Sequence, residues 1–195
     1  MQRYDIINML IYYTGAKKYL EIGYATGTTF KKVVCKSKVS VDPNSTEATH
    51  QTTSDKFFAN NKEKFDIIFI DGLHHAEQVY KDIINALSCL NNNGVIVCHD
   101  LLPPSEEYQI VPPIQNLWTG DCWKAWVKIR SEKSDLFMYT VDTDFGCGII
   151  SRGNQTPIDL KDNEVEWHNF VKNKKEWMNI ISVQQFQGYY NVKAK

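Results

Sequence analysis

The chain has 195 residues, 43% of them hydrophobic, 12% aromatic and 23% charged, with 22 basic residues against 23 acidic ones and a formal net charge of −1. That length suits one domain, and that apolar fraction suffices for a core, which excludes a disordered chain. The balanced charge excludes the basic excess by which nucleic-acid binders neutralise phosphate, and the short cluster Lys172, Lys174 and Lys175 reads as a solvated helix face.

Five cysteines (Cys35, Cys89, Cys98, Cys122, Cys147) are odd in number, widely spaced and without a Cys-x-x-Cys pair. Free thiols in a reducing compartment are expected, not a disulfide scaffold or a zinc knuckle. No signal-peptide pattern opens the sequence, and no apolar run approaches the roughly 20 residues that cross a bilayer. The expectation is a soluble, cytoplasmic protein with neither a membrane nor a nucleic acid as partner.

Taken in chain order, residues from Arg3 to about Tyr13 place Ile6, Ile7, Leu10 and Ile11 at helical spacing, and Gly15 ends that helix. Lys18–Ile22 is a first short strand stopped by Gly23. A helix follows from about Thr26 to Cys35, then a second strand, Lys38–Asp42, ended by Pro43. Asn44–Thr53 is a polar loop with room for one very short strand, followed by a helical turn over Asp55–Asn60. The continuous apolar run of Phe65–Asp71 suits a strand covered on both faces. Helix Ala76–Leu90 comes next; Asn91–Gly94 should break it before the buried strand Val95–Cys98.

After Asp100 the pattern changes. Four of the six prolines (Pro103, Pro104, Pro112, Pro113) fall in thirteen residues, which predicts an irregular loop. A helix from about Asp121 to Ser131 precedes two runs, Leu136–Val141 and Cys147–Ser151, that should pair antiparallel across Asp144-Phe-Gly146. The tail from about Asp162 to Tyr190 is amphipathic and aromatic. The predicted fold class is α/β: a Rossmann-like, doubly wound, mostly parallel sheet with an antiparallel edge strand. Residues 1–195 form a single domain, and 155–195 serve as covering helices.

In such sheets ligands bind outside the carboxyl ends of the strands. The first strand ends in Glu21-Ile-Gly-Tyr-Ala-Thr-Gly27, whose glycines allow a tight turn and a close backbone approach. A dinucleotide site would use Gly-x-Gly-x-x-Gly, and Glu21 would repel a pyrophosphate; a cationic sulfonium ligand meets no such objection. Asp42, nineteen residues after Gly23, stands where an acid can accept both hydroxyls of a ribose. A second cluster gathers Asp71, His74, His75, His99 and Asp100 at neighbouring strand ends.

Four segments carry a resemblance: Leu20-Glu-Ile-Gly-Tyr-Ala-Thr-Gly27, Val41-Asp-Pro43, Thr53-Ser-Asp55 and Phe65-Asp-Ile-Ile-Phe-Ile-Asp-Gly-Leu-His-His75. They resemble class I S-adenosylmethionine-dependent methyltransferases, over roughly residues 1–150. Within that group the chain is similar to small bacterial and viral O-methyltransferases that modify sugars. The resemblance implies that Glu21, Gly23, Ala25, Thr26 and Gly27 line the methionine end of S-adenosyl-L-methionine. Asp42 would hold the ribose, Ser54 and Asp55 the adenine, and Asp71 would join the cofactor site. The other reading of Ser54 and Asp55 is a helix N-cap.

Metal-dependent members of that group place an acid at one strand end and an acidic pair at the next. The matching residues, Asp71, His99 and Asp100, form a candidate site for Mg²⁺ or another divalent cation, although His99 stands in place of an acid. Strand capping and contact with the cofactor's amino group are the alternative role for the two acids. His74 matches the general base of the sugar-modifying relatives, and an imidazole suits removal of a hydroxyl proton; its alternative role is to begin the Ala76 helix. Trp118, Trp123 and Trp126, with Asp121 and Lys124 among them, read first as a buried helix face and second as a substrate wall. The loop Leu101–Pro113 is the better candidate for recognition.

The expected function is O-methylation of a hydroxyl on a sugar, a glycan precursor or another small molecule. The alternatives are a non-catalytic cofactor-binding scaffold of the same fold and a small-molecule N-methyltransferase. The expected partner is a small-molecule or carbohydrate acceptor, and nothing in the sequence points to an oligomeric state.

Overall fold

The computed structural model describes residues 1–160 and 165–191. Asp162, where the covering tail was expected to begin, and the end of the 155–195 segment past residue 191 lie outside the described residues. The elements run α1 (Arg3–Thr14), β1 (Lys18–Ile22), α2 (Thr28–Lys32), β2 (Ser37–Val41), α3 (Ser54–Asn60), β3 (Phe65–Ile70), α4 (Ala76–Cys89) and β4 (Leu90–Cys98). Then come α5 (Cys122–Glu132), β5 (Leu136–Val141), β6 (Cys147–Arg152), α6 (Trp167–Trp177), β7 (Ile180–Ile181) and α7 (Val183–Asn191).

The strands form one seven-stranded sheet in the order β2-β1-β3-β4-β6-β5-β7. β1, β2, β3 and β4 pair in parallel, so their carboxyl ends emerge at one edge; β6 lies antiparallel between β4 and β5. The alternation along β3 explains its unbroken apolar run. Ile68 and Ile70 join the core beneath α3, α4, α5 and α6, while Ile67 and Phe69 join the core beneath α1 and α7. A strand buried on both faces has no polar side to display.

Three expectations need correction. The Asn91–Gly94 run does not separate α4 from the next strand; it lies inside β4. Leu90 already pairs with Phe65, and the side-chain amide of Asn91 donates to Oδ1 of Asp66 at 2.6 Å, so sheet partners outweigh the local turn preference. Helix α2 is shorter than read: Gly27 precedes it in a left-handed conformation, and buried Val33 ends it in an extended one. The tail supplies covering helices α6 and α7 but also β7, which pairs in parallel with β5. The loop before α3 does contain one strand-like contact, a parallel bridge between Val41 and His50.

All five cysteines are free. Among the described residues, no helix is long and apolar enough to cross a membrane. Trp123 and Trp126 are fully buried on α5, which settles them as core. Replacing Trp126 by Ala should lower stability by about 3–5 kcal/mol through the cavity it leaves. Leu117→Ala, at a side chain 59% exposed, should stay within about 0.5 kcal/mol of wild type. Chemical denaturation of the two variants checks the contrast; similar losses in both would refute the core assignment.

Candidate functional site

Because four parallel strands end at one edge, the residues that follow them share one space: a cavity of about 650 Å³. The β1–α2 turn contributes Glu21, Gly23, Ala25 and Thr26, the end of β2 contributes Asp42, and α3 contributes Ser54 and Asp55. Asp71 and His74 follow β3; His99 and Asp100 follow β4. His75 of the second cluster does not line this cavity, and of the residues read from the sequence as cofactor-binding, catalytic or metal-ligating only Gly27 does not. Its φ of +73° opens α2, and a Cβ there would strike the ring of Tyr24, so its role is the turn itself.

Gly23 is needed for a different reason. At φ +95° its backbone lies against the main chain of Asp71 and Gly72, and a Cβ would collide with the Asp71 carbonyl. This close approach brings the end of β3 beside the end of β1. Ala25 also adopts a left-handed conformation, with φ +46°, held by its N–H donating to Oδ2 of Asp42 at 2.8 Å. Oδ1 of Asp42 accepts from the N–H groups of Asn44 and Ser45 at 2.8 and 3.2 Å. Each carboxylate oxygen has two lone pairs, so Oδ2 retains one acceptor site for a ribose hydroxyl.

The cap of α3 is Thr53, whose hydroxyl accepts from the N–H of Lys56. Ser54 and Asp55 are therefore free of that duty and face the cavity. Both accept from the side-chain amide of Gln78 on α4, at 3.2 and 3.0 Å. Gln78, which also lines the cavity, was not read as a site residue. Its only sequence signal is a polar position in the first turn of a helix that follows a ligand-side loop.

The charged end of the cavity is denser than the sequence suggested. Nε2 of His74 lies 3.3 Å from Asp71 and its Nδ1 lies 3.3 Å from Asp100. Nδ1 of His99 lies 3.3 Å from Asp71 and 3.1 Å from Asp100. Two unpredicted residues complete the group. Nη1 of Arg3, from α1, donates to both oxygens of Asp144 at 2.9 and 2.8 Å, and the Arg3 backbone N–H adds a third bond at 2.8 Å. Burial alone would raise the carboxyls of Asp71 and Asp144, but His99 and His74 hold Asp71, and His99 and Arg3 hold Asp144, well below the usual range. Burial likewise opposes a charge on His74, yet Asp71 and Asp100 outweigh it and raise the imidazole.

His75, not His74, stands at the N-cap position of α4, where Asp121 accepts from the N–H of Ala76 at 2.7 Å. That leaves His74 free of the helix and stacked on Trp118, with centroids 5.5 Å apart and planes 27° apart. Trp118 thus leaves the company of Trp123 and Trp126 and packs on His74, without itself lining the cavity. Its indole N–H donates to the Ile110 carbonyl at 2.6 Å, tying the proline-rich loop to this ring.

Glu21 is buried and accepts from the Tyr19 hydroxyl at 2.5 Å. Burial pushes its carboxyl up from 4.5 to about 8. Between those values the folded protein keeps a proton that the unfolded chain releases, so Glu21 lowers stability as pH rises through the window. Glu21→Gln should therefore gain stability relative to wild type from pH 4.5 to about 8, measured by denaturation across that range. Parallel pH curves for the two proteins would show that Glu21 ionises normally in the fold.

A methyltransferase-domain family model matches residues 30–101, which carry Asp42, Ser54, Asp55, Asp71, His74, His99 and Asp100. No curated protein matches the sequence. Among solved structures, the chain is similar to the O-methyltransferase TomG of Streptomyces achromogenes, solved with S-adenosylmethionine: TM-score 0.59, 13% identity, covering 77% of this chain and 79% of that one. It is also similar to the methyltransferase PaMTH1 of Podospora anserina, solved with S-adenosylhomocysteine: TM-score 0.56, 16% identity, 75% and 76% covered. An O-methyltransferase of Bacillus cereus with S-adenosylhomocysteine gives a TM-score of 0.50 at 16% identity, with 76% and 78% covered. Identities this low speak to the fold. Residues 30–101 thus match a methyltransferase-domain model, and the chain has the fold of class I S-adenosylmethionine-dependent methyltransferases.

Proposed function

We propose that the protein transfers the methyl group of S-adenosylmethionine to a hydroxyl oxygen of a small molecule, a sugar or glycan precursor being the first candidate. The observation that supports this most is the position of His74 at the lip of the cofactor cavity, between Asp71 and Asp100 and beneath Trp118. The donor set suits the cofactor. Asp42 keeps acceptor capacity for the ribose, Ser54 and Asp55 face the adenine end, Asp71 offers negative charge to a sulfonium or an ammonium, and the buried Glu21 would give up its proton beside such a cation. When bound, the cofactor supplies an electrophilic methyl carbon.

The chain's own residues then have three tasks. The cavity holds donor and acceptor in line, which alone can lower the barrier by several kcal/mol (about 7–11 at best). Trp118 offers an aromatic face on which a sugar ring can pack. His74 accepts the hydroxyl proton as the oxygen attacks. The carboxylates that raise His74 would hold it protonated in the empty site. Asp71 would be drawn toward a bound cationic cofactor, and His74, paired less firmly, would return toward neutrality and serve as the base.

Titration with S-adenosylhomocysteine should show micromolar binding, and His74→Ala should keep it. With S-adenosylmethionine and a panel of glycosides and phenols, the same variant should lose about 10²–10⁴-fold in transfer rate. The wild-type rate should rise with pH through a midpoint above 6.5, because the base acts when deprotonated, and the variant should lack that limb. Binding without any effect of His74→Ala would point instead to an amine acceptor, which needs no base. Absence of cofactor binding would sink the proposal.

A further inference from the structure

The resemblance implies a divalent cation at Asp71, His99 and Asp100. Asp71, His74 and Asp100 do offer ligand atoms within 4.8 Å of one another. The pairing of these carboxylates nevertheless leaves a cation little to bind. Oδ1 of Asp71 faces Nε2 of His74 and Nδ1 of His99, both at 3.3 Å, and Oδ2 faces Nε of Arg3 at 3.7 Å. Oδ1 of Asp100 faces Nδ1 of His99 at 3.1 Å, and Oδ2 faces Nδ1 of His74 at 3.3 Å. Each of the four oxygens already has a nitrogen opposite it.

The far side of His99 decides what its near side can do. Nη1 of Arg3 lies 3.2 Å from Nε2 of His99, closer than Asp144 at 3.6 Å. A guanidinium only donates, so Nε2 accepts and the ring hydrogen sits on Nδ1, toward Asp71 and Asp100. A second ring proton would leave Nδ1 protonated all the same. A cation could take Nδ1 only by displacing that hydrogen. Nδ1 of His99, like Nδ1 of His74, is buried and faces these carboxylates at ion-pair distance without a well-aligned hydrogen bond. Arg3 cannot easily give way, because Asp144 engages its side chain and its backbone and Nε donates to Thr29 at 3.1 Å.

We propose that His99, held by Arg3 and Asp144, replaces a divalent cation between Asp71 and Asp100, and that the site binds its cofactor and acts without a metal. The role of the site rests on the function proposed above; the absence of a metal requirement does not. His99, Arg3 and Asp144 are positioning residues. They keep the two carboxylates close together and leave His74 to the acceptor.

Two measurements test this on the intact protein. Mn²⁺ titrated alone into the wild type should show no saturable binding below the millimolar range by calorimetry or electron paramagnetic resonance. His99→Asp restores an all-carboxylate set and should bind Mn²⁺ at least about tenfold more tightly. Separately, S-adenosylhomocysteine should bind the wild type within about twofold of the same affinity with Mg²⁺ or with a chelator, a difference of only about 0.4 kcal/mol. Saturable micromolar Mn²⁺ binding by the wild type, lost in Asp100→Asn, would overturn the proposal, as would cofactor binding that needs the metal. If His99→Asp fails to fold by its melting curve, the wild-type titrations decide alone. If S-adenosylhomocysteine binds in neither condition, the proposed function falls while the Mn²⁺ titration still judges this one.

Discussion

Parallel strands that end together gather whatever follows them, and here that is mostly acid. Glu21, Asp42, Asp71 and Asp100 all reach one cavity. Two carboxylates about 4 Å apart repel by roughly 4 kcal/mol at the effective dielectric of a partly buried site. A fold that loses that much at its ligand-binding edge must return it in the same place. The Arg3, His74 and His99 side chains do so by sharing themselves among Asp71, Asp100 and Asp144. Their cost of burial is the reason the pairing must be so complete: a buried carboxylate left alone would simply take up a proton.

That requirement explains why elements distant in sequence converge. α1 has a core face of Ile6, Ile7, Leu10 and Ile11, and packing this face against the sheet aims its first turn at the carboxyl edge. Arg3 then meets Asp144 across 141 residues of chain. The β5–β6 turn is built for the meeting: Asp144 and Phe145 both take left-handed backbone conformations, at φ +49° and +59°. Glu21 is handled differently. Among the described residues no cation lies at ion-pair distance and Lys38 acts on it only through its charge, so a tyrosine hydroxyl and a retained proton do most of the work, and a cationic ligand would be welcome beside it.

Much of this could be read from the sequence because it follows from local rules. Strand ends, the Gly23 turn, the acid at Asp42 and the run from Asp71 to His74 are set by short stretches of chain with strong patterns. Arg3 and Asp144 could not be read. An Asp before Phe-Gly in a tight turn is ordinary turn chemistry, and an Arg in a first helical turn is ordinary surface. Their meaning arises only from a contact made by the finished fold. The Asn91–Gly94 run misleads for the same reason in reverse: its local preference is to break, but β3 offers it partners. Trp118 lies between these cases. Its neighbours Trp123 and Trp126 share the apolar signal, and only the position before α5 rather than on it sets Trp118 beside His74.

The residues in left-handed conformations cluster in a telling way. Among the described residues, Ala25, Asp100, Asp144 and Phe145 are four of the five non-glycine residues with positive φ, the fifth being Asn179, and the four lie in the ligand-edge turns. Each such conformation costs on the order of 1 kcal/mol, and it persists only where surroundings over-determine it. For Ala25 the determinant is the bond to Asp42; for Asp144 it is the double grip of Arg3. For Asp100 it is the pair of histidines at its two oxygens. The same contacts that cancel charge therefore also hold the strained turns, so positioning and neutralisation are one task. Neutralising a single partner would release a turn as well as a charge. A site arranged this way has little slack for a loosely held ion, and its selectivity rests on the geometry of its own nitrogens.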